Sequence, residues 1–217
     1  MLQSRRGADV LSARPTPLQN RVDPFGAIAA TPERGLFFGN RGGRFHNDDR
    51  TLGAARWKSR AWITCLCSFK NRRKEVFGPR YTDLFFLDEP TALAAGHRPC
   101  FECRRERAVA FCRAIDPGGE LRARDLDRRL DAERRDGRKK RSHPLGADAL
   151  PDGAMFASEG TAYAIRGARA FPWSFAGYGQ PIPRPRGVAI DCLTPPTSLA
   201  ALAGGYQPAW HPSAAIG

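Results

Sequence analysis

Apolar positions in the outer parts of this chain come in short runs, and helical spacing is confined mainly to the middle. The run Trp62-Ile63-Thr64-Cys65-Leu66-Cys67-Ser68-Phe69 reads as a strand, as does Leu84-Phe85-Phe86-Leu87. Residues 35–46 read as a β-hairpin, with Asn40, Gly42 and Gly43 at the turn positions that need positive φ. Together these pieces predict a small antiparallel sheet of three to four strands. A second β-rich portion opens near Leu150. In it, residues 161–166 alternate by twos and residues 188–193 form a further strand. Aromatic residues 171–179, interrupted by glycines, read as a loop.

Helix signals lie between these β portions. Asp88 suits an N-cap, Pro90 a first turn and Gly96 the C′ position, which predicts a short helix over 91–95. Residues 104–115 place Val109, Phe111, Cys112 and Ile115 at helical spacing, and Pro117-Gly118-Gly119 stops them. Residues 120–137 carry only the thin stripe Leu121, Leu126 and Leu130, which predicts a mostly exposed helix. A last short helix is expected over 199–203, capped by residues 194–198. The expected class is α+β. The expected division is a flexible basic arm (1–20), a metal-binding portion (21–116), a charged helix with a basic linker (117–147) and a β-rich C-terminal portion (148–217). No run approaches the 18 or so apolar residues of a membrane span, and the N-terminus lacks the apolar core of a secretory signal.

The cysteines change the picture. Cys100 and Cys103 form a C-x-x-C pair at the expected start of the 104–115 helix, where the dipole and free N–H groups favour thiolate. Upstream, Cys65 and Cys67 stand two apart in a predicted strand, a spacing that aims both sulfurs at one face. Four thiolates are a shell for zinc, and strand ligands followed by ligands at a helix start make a treble-clef-like site. His97 is a substitute ligand, and His46 a weaker one. The competing reading makes Cys65 and Cys67 small core residues. Six cysteines without small-domain disulfide spacing suit a reducing cytoplasm.

Residues 85–105, with Ala92-Leu93-Ala94-Ala95-Gly96-His97-Arg98-Pro99-Cys100-Phe101-Glu102-Cys103-Arg104, resemble the second half of the zinc-binding domain of the Ada DNA-repair and regulatory proteins. The resemblance implies that Cys100 and Cys103 are zinc ligands. The first half departs from that family: its upstream C-x-x-x-C, one cysteine of which accepts methyl groups from DNA phosphotriesters, is C-x-C here, and the loop after it is longer. The chain as a whole resembles a bacterial protein family.

Charge points to a partner. Lys+Arg number 35 against 22 Asp+Glu, a formal net charge of +13, which favours polyanions. The expected partner is nucleic acid, DNA ahead of RNA, in the cytoplasm or on the nucleoid. The candidate contacts are Arg41 and Arg44 at the glycine turn, Lys70, Arg72, Arg73 and Lys74 after the cysteine strand, Arg98, Arg104 and Arg105 around C-x-x-C, and Arg138, Lys139, Lys140 and Arg141. The first functional reading is therefore a zinc-binding, strongly basic DNA-binding protein in repair or regulation. The alternative is an enzyme on nucleic acid: His46 as the general base of a metal-dependent nuclease with Asp48 or Asp49 on the metal, or a reactive Cys65 or Cys67. A third reading uses the 171–179 aromatics to bind a small molecule or protein.

Overall fold

The computed structural model describes residues 16–70 and 75–215, and the chain is α+β. Its strands are β1 (Gln19–Val22), β2 (Ile28–Ala30), β3 (Phe37–Asn40), β4 (Ile63–Leu66), β5 (Leu84–Phe86) and β6 (Arg98–Pro99) in the first half. In the second half they are β7 (Arg135–Asp136), β8 (Lys139–Lys140), β9 (His143–Gly146), β10 (Met155–Ser158), β11 (Thr161–Arg166), β12 (Arg169–Ser174), β13 (Gly177–Tyr178), β14 (Ile182–Pro183) and β15 (Ala189–Cys192). The helices are α1 (Glu89–Ala94), α2 (Arg105–Ile115), α3 (Ala123–Arg134) and α4 (Pro196–Ala203).

The first sheet has the order β2-β1-β5-β3-β4-β6. It is larger than the expected three or four strands, and it is mixed, because β1 pairs with β5 and β4 with β6 in parallel. The predicted hairpin over 35–46 does not form. Strand β3 lies between β4 and β5, and the chain beyond Arg41 turns away. There the backbone N–H groups of Phe45 and His46 both donate to Thr82 Oγ1, at 2.8 and 3.1 Å, instead of to a returning strand. The second sheet, β13-β12-β11-β10-β15-β9 with β14 beside β12, is antiparallel throughout. The expected loop at 171–179 is a tight hairpin in which Trp173 pairs with Tyr178 and Ser174 with Gly177.

Helix α1 ties the halves together. Its sequence EPTALA is buried along its whole length. Ala92 packs in the apolar cluster of the first sheet, Ala94 in that of Met155 and Phe171, and Leu93 in the largest cluster with Phe111, Leu130 and Ile165. That largest cluster takes side chains from each of the segments 21–116, 117–147 and 148–217. The helix ends in a Schellman motif: Gly96 N–H donates to Leu93 O, and His97 N–H donates to Ala92 O, both at 2.9 Å. Gly96 has φ +85°, and a Cβ there would lie 2.6 Å from Arg134 Cβ, so both conformation and space require glycine.

The N-terminus of α1 is anchored by two buried acids. Asp88 accepts from Thr91 N–H (3.0 Å), Thr91 Oγ1 (2.7 Å), Tyr178 Oη (2.9 Å) and His211 N–H (3.1 Å). Burial pushes its carboxyl up, and these bonds oppose the shift. Glu89 accepts from Arg104 Nη2 (2.7 Å), Tyr206 Oη (2.5 Å) and Ala209 N–H (2.9 Å). Helix α3 differs from its expected exposure: Leu126 and Leu130 are buried as the stripe implied, and so are Asp127 and Arg134. Charges can enter because each is paired, Asp127 with Arg98 (2.8 Å) and Arg134 with Asp131 (2.8 Å).

Removing one member of a buried pair leaves the other charge uncompensated. Glu89→Ala is expected to lower the unfolding free energy by about 3–5 kcal/mol in urea titration. Arg105→Ala, on an exposed position of α2, is expected to change it by no more than about 0.5 kcal/mol.

Candidate metal centre

Strand β4 delivers Cys65, and the turn between β6 and α2 delivers Cys100 and Cys103. The parallel pairing of β4 with β6 sets the register: Ile63 lies opposite Arg98 and Thr64 opposite Pro99. Cys100 N–H continues the ladder by donating to Thr64 O at 3.0 Å, so the next step brings Cys65 beside Cys100. The chain then coils, Arg104 N–H donating to Cys100 O at 3.1 Å, and this turn folds Cys103 back over Cys100. The three Sγ atoms lie within 4.8 Å of one another and could hold a metal ion. Cys65 and Cys100 are buried and Cys103 is partly buried.

The thiols form a network of their own. Cys100 Sγ is held well below the ordinary thiol range because it accepts from Cys103 and Cys65, with further support from the backbone N–H groups of Cys103 and Glu102. Cys65 and Cys103, which supply protons to Cys100, are pushed up, and burial adds to both shifts. A thiolate is thus already favoured at one corner of the triangle, and a cation entering it would displace the remaining protons.

Cys67 stands outside the triangle. Strand β4 ends at Leu66, so the two-residue alternation that would align Cys67 with Cys65 ends as well, and Cys67 Sγ donates to Leu36 O at 3.4 Å. Cys67 still borders the cleft into which the cluster opens. That cleft has a volume of about 480 Å³, and its walls include Phe38, Phe69, Tyr81 and Glu102. His97 is elsewhere. It is fully buried, its Nε2 accepts from Arg41 Nε at 3.4 Å, its ring packs on Trp62 and Phe86, and its Nδ1 has no hydrogen-bond partner. Burial and the neighbouring Arg41 and Arg134 keep it neutral, its pKa well below the imidazole range.

His46 and Asp48 are not brought together around a metal. The His46 ring is buried against Phe77 at 4.5 Å with Nδ1 at 2.8 Å from Thr82 Oγ1, and burial lowers its pKa. The Asp48 carboxylate is solvent-exposed and pairs with Arg44, while Asp49 bonds Thr51. The one group of metal-ligating side chains among the described residues is Cys65, Cys100 and Cys103.

The expected cationic contacts divide sharply. Arg98 grips both Asp127 oxygens at 2.8 Å, and Arg104 pairs with Glu89 beneath the ring of Phe37, so both are interior groups. Arg41 is 2 % exposed, and Lys140 Nζ donates to Ala94 O. Lys70, Arg105, Arg138, Lys139 and Arg141 are exposed. Arg72, Arg73 and Lys74 lie outside the described residues. The sequence offers all of these alike as nucleic-acid contacts, since a basic residue flanking a motif carries no local sign of a buried acid contributed from far along the chain.

Comparison with protein-family models, with curated proteins and with solved structures returned no match for this chain. The reading of the centre therefore rests on its own geometry.

One Co²⁺ per chain is expected to bind with thiolate-to-metal charge-transfer absorption. Cys67→Ser should leave that band intact. Cys65→Ser or Cys103→Ser should weaken binding by more than the about 10–100-fold that follows loss of an outer-shell partner. A band lost equally in Cys67→Ser would move the centre toward the cleft.

Proposed function

We propose that Cys65, Cys100 and Cys103 hold zinc as thiolates, and that the zinc-clamped fold presents a basic surface to nucleic acid, DNA ahead of RNA, in repair or regulation. The observation that carries the zinc assignment is the convergence of three sulfurs from β4 and from the turn before α2. Zn–S bonds of about 2.3 Å put tetrahedral sulfurs about 3.8 Å apart, so sulfurs within 4.8 Å reach that spacing with small movements. Soft anionic ligands select zinc or another soft metal over magnesium or calcium. Clamping β4 to the start of α2, zinc would stabilise the first sheet against the helical middle of the chain.

The net charge of +13 supports a polyanionic partner. The cations in the best position to meet it are the exposed ones, Lys70, Arg105, Arg138, Lys139 and Arg141. Phosphate contact of this kind is read through its salt dependence, because each neutralised phosphate releases counterions.

A second reading is favoured by one feature of the centre, its opening into the 480 Å³ cleft. Three protein ligands leave a coordination position for water or substrate, and structural sites are ordinarily closed by a fourth. On this reading the centre performs chemistry on its partner, whereas approach of Cys67 from the cleft wall would close the fourth position and make the site structural. The nuclease alternative using His46 has weaker support, since His46 is buried on Phe77 and Thr82.

Fluorescence anisotropy with a labelled DNA duplex is expected to give a log–log salt slope of about −0.9 for each phosphate neutralised. Arg105→Ala with Arg141→Ala should make that slope shallower by about 2 units. Binding that is absent at low salt would remove the nucleic-acid reading and leave the metal centre untouched. Plasmid nicking with Mg²⁺ or Mn²⁺, lost in His46→Ala, would instead establish the nuclease alternative.

A further inference from the structure

A second cavity, apart from the cysteine cleft, is lined mainly by cations and aromatic rings. It has a volume of about 470 Å³ and lies beside the β1–β2 hairpin, whose Gly26 and Ile28 form part of its wall. Arg41, Arg134 and Lys140 line it from within the fold, the two arginines each 2 % exposed. Arg56, Arg135, Arg138 and Lys139 complete it from more exposed positions. No Asp or Glu is among its described lining residues.

The charges of this cavity are incompletely answered by the protein. Asp131 is shared by Arg134 at 2.8 Å, Arg135 at 3.0 Å and Arg60 at 3.4 Å. The remaining polar partners recorded for these cations are chiefly neutral: Arg41 donates to Gly26 O and His97 Nε2, Arg138 to Ala54 O, Arg56 to Gly53 O and Ala55 O, and Lys140 to Ala94 O. Arg134 Nε, buried, has no hydrogen-bond partner. Gathering this many positive charges opposes folding unless something neutralises them.

The guanidinium groups are also held in place. Arg41 and Arg134 stack on Trp62, their Cζ atoms 4.0 and 3.9 Å from the ring centroid, and Arg135 stacks on Trp57 at 4.6 Å. Stacking occupies the flat face of a guanidinium, so its contacts run through the in-plane N–H groups: Arg41 gives two of these to His97 Nε2 and Gly26 O, Arg134 gives others to Gly96 O, Arg60 O and Asp131, and Arg134 Nε is left without a partner. In-plane donors of this kind suit phosphate oxygens.

We propose that this cavity binds a ligand bearing two or more adjacent phosphates, with Arg41, Arg56, Lys139 and Lys140 as principal contacts. A single phosphate would leave most of the volume and most of the cations unused, whereas the volume lies within the range of small-ligand pockets. The electrostatics agree with the geometry. Burial, then the nearby Arg134, pulls Arg41 down to about 9 against the opposing influence of Asp23, and burial pulls Lys140 down to about 7 despite the opposing influence of Cys192 and Asp23. A bound polyphosphate would reverse both shifts by supplying the missing negative charge. The proposal does not involve the zinc centre; it shares Arg138 and Lys139 with the cations assigned to duplex binding, but its contacts are those of a concave pocket.

Inorganic pyrophosphate is the direct probe. Added at millimolar concentration to the full-length chain, it is expected to raise Tm by about 3 °C or more over sodium chloride of equal ionic strength. Isothermal titration calorimetry should show one site. Arg56→Gln with Lys139→Gln, both at the cavity's outer wall, should weaken that binding about tenfold or more while far-UV circular dichroism stays unchanged. Arg129→Gln, on the exposed side of α3, should bind as the parent does. Nucleoside diphosphate and a 5′-phosphorylated oligonucleotide identify the source: competition by the first alone marks a small-molecule site, and competition by the second marks a nucleic-acid end. No Tm shift beyond that of chloride, or equal binding by the Arg56/Lys139 variant, would overturn the proposal. Duplex binding that persists in that case would leave the DNA reading standing.

Discussion

The burial of one short helix governs the rest of this molecule. Helix α1 is six residues long and its side chains enter three separate apolar clusters. A helix that short does not hold itself together, since nucleation costs more than so few hydrogen bonds return. Its stability must come from its surroundings: Asp88 capping it, Glu89 receiving Arg104 and Tyr206, and Gly96 ending it without strain. In return it joins the two larger sheets. Asp88 reaches Tyr178 of the second sheet and the backbone of His211 near the C-terminus, so a single carboxylate links positions far apart in the chain.

The cysteine centre inherits its geometry from this arrangement. After Gly96 the chain has little freedom. His97 is packed between Trp62 and Phe86, Arg98 is fastened to Asp127, and β6 pairs with β4. Cys100 therefore emerges beside Cys65, and the turn into α2 brings Cys103 round. The thiols are brought together by backbone pairing and buried ion pairs, which gives a metal a preorganised site.

Arginine has two distinct uses here, and composition does not separate them. Arg98, Arg104 and Arg134 are buried structural members, paired with acids and stacked on Phe101, Phe37 and Trp62. The guanidinium serves this purpose better than an ammonium, because its flat face packs against rings while its edges bond carboxylates and carbonyls. The exposed arginines and lysines, together with the cation-lined cavity, retain the unanswered positive charge. The structure thus refines the meaning of a +13 chain: part of the charge is architecture, and the rest faces solvent or a pocket.

Much of the local structure was legible in the sequence because its causes are local. Asp88, Pro90 and Gly96 announced α1 through capping and turn chemistry, the spacing of Phe111 and Cys112 announced α2, and alternation announced β11 over residues 161–166. The α+β class and the membership of Cys65, Cys100 and Cys103 in one group followed from strand and helix-start positions. Other features required the tertiary structure, because their causes lie far along the chain. The glycine turn after β3 was read as a hairpin, but the hydrogen bonds of the chain beyond it go to Thr82. The end of β4 at Leu66 separated Cys67 from Cys65, and acids at positions 89 and 127 drew Arg104 and Arg98 into the interior. Capping, periodicity and motif spacing are short-range properties that a chain carries in its order of residues. Strand pairing, burial of charge and the shape of a cavity are set by partners from distant segments, and only the folded molecule brings those partners together.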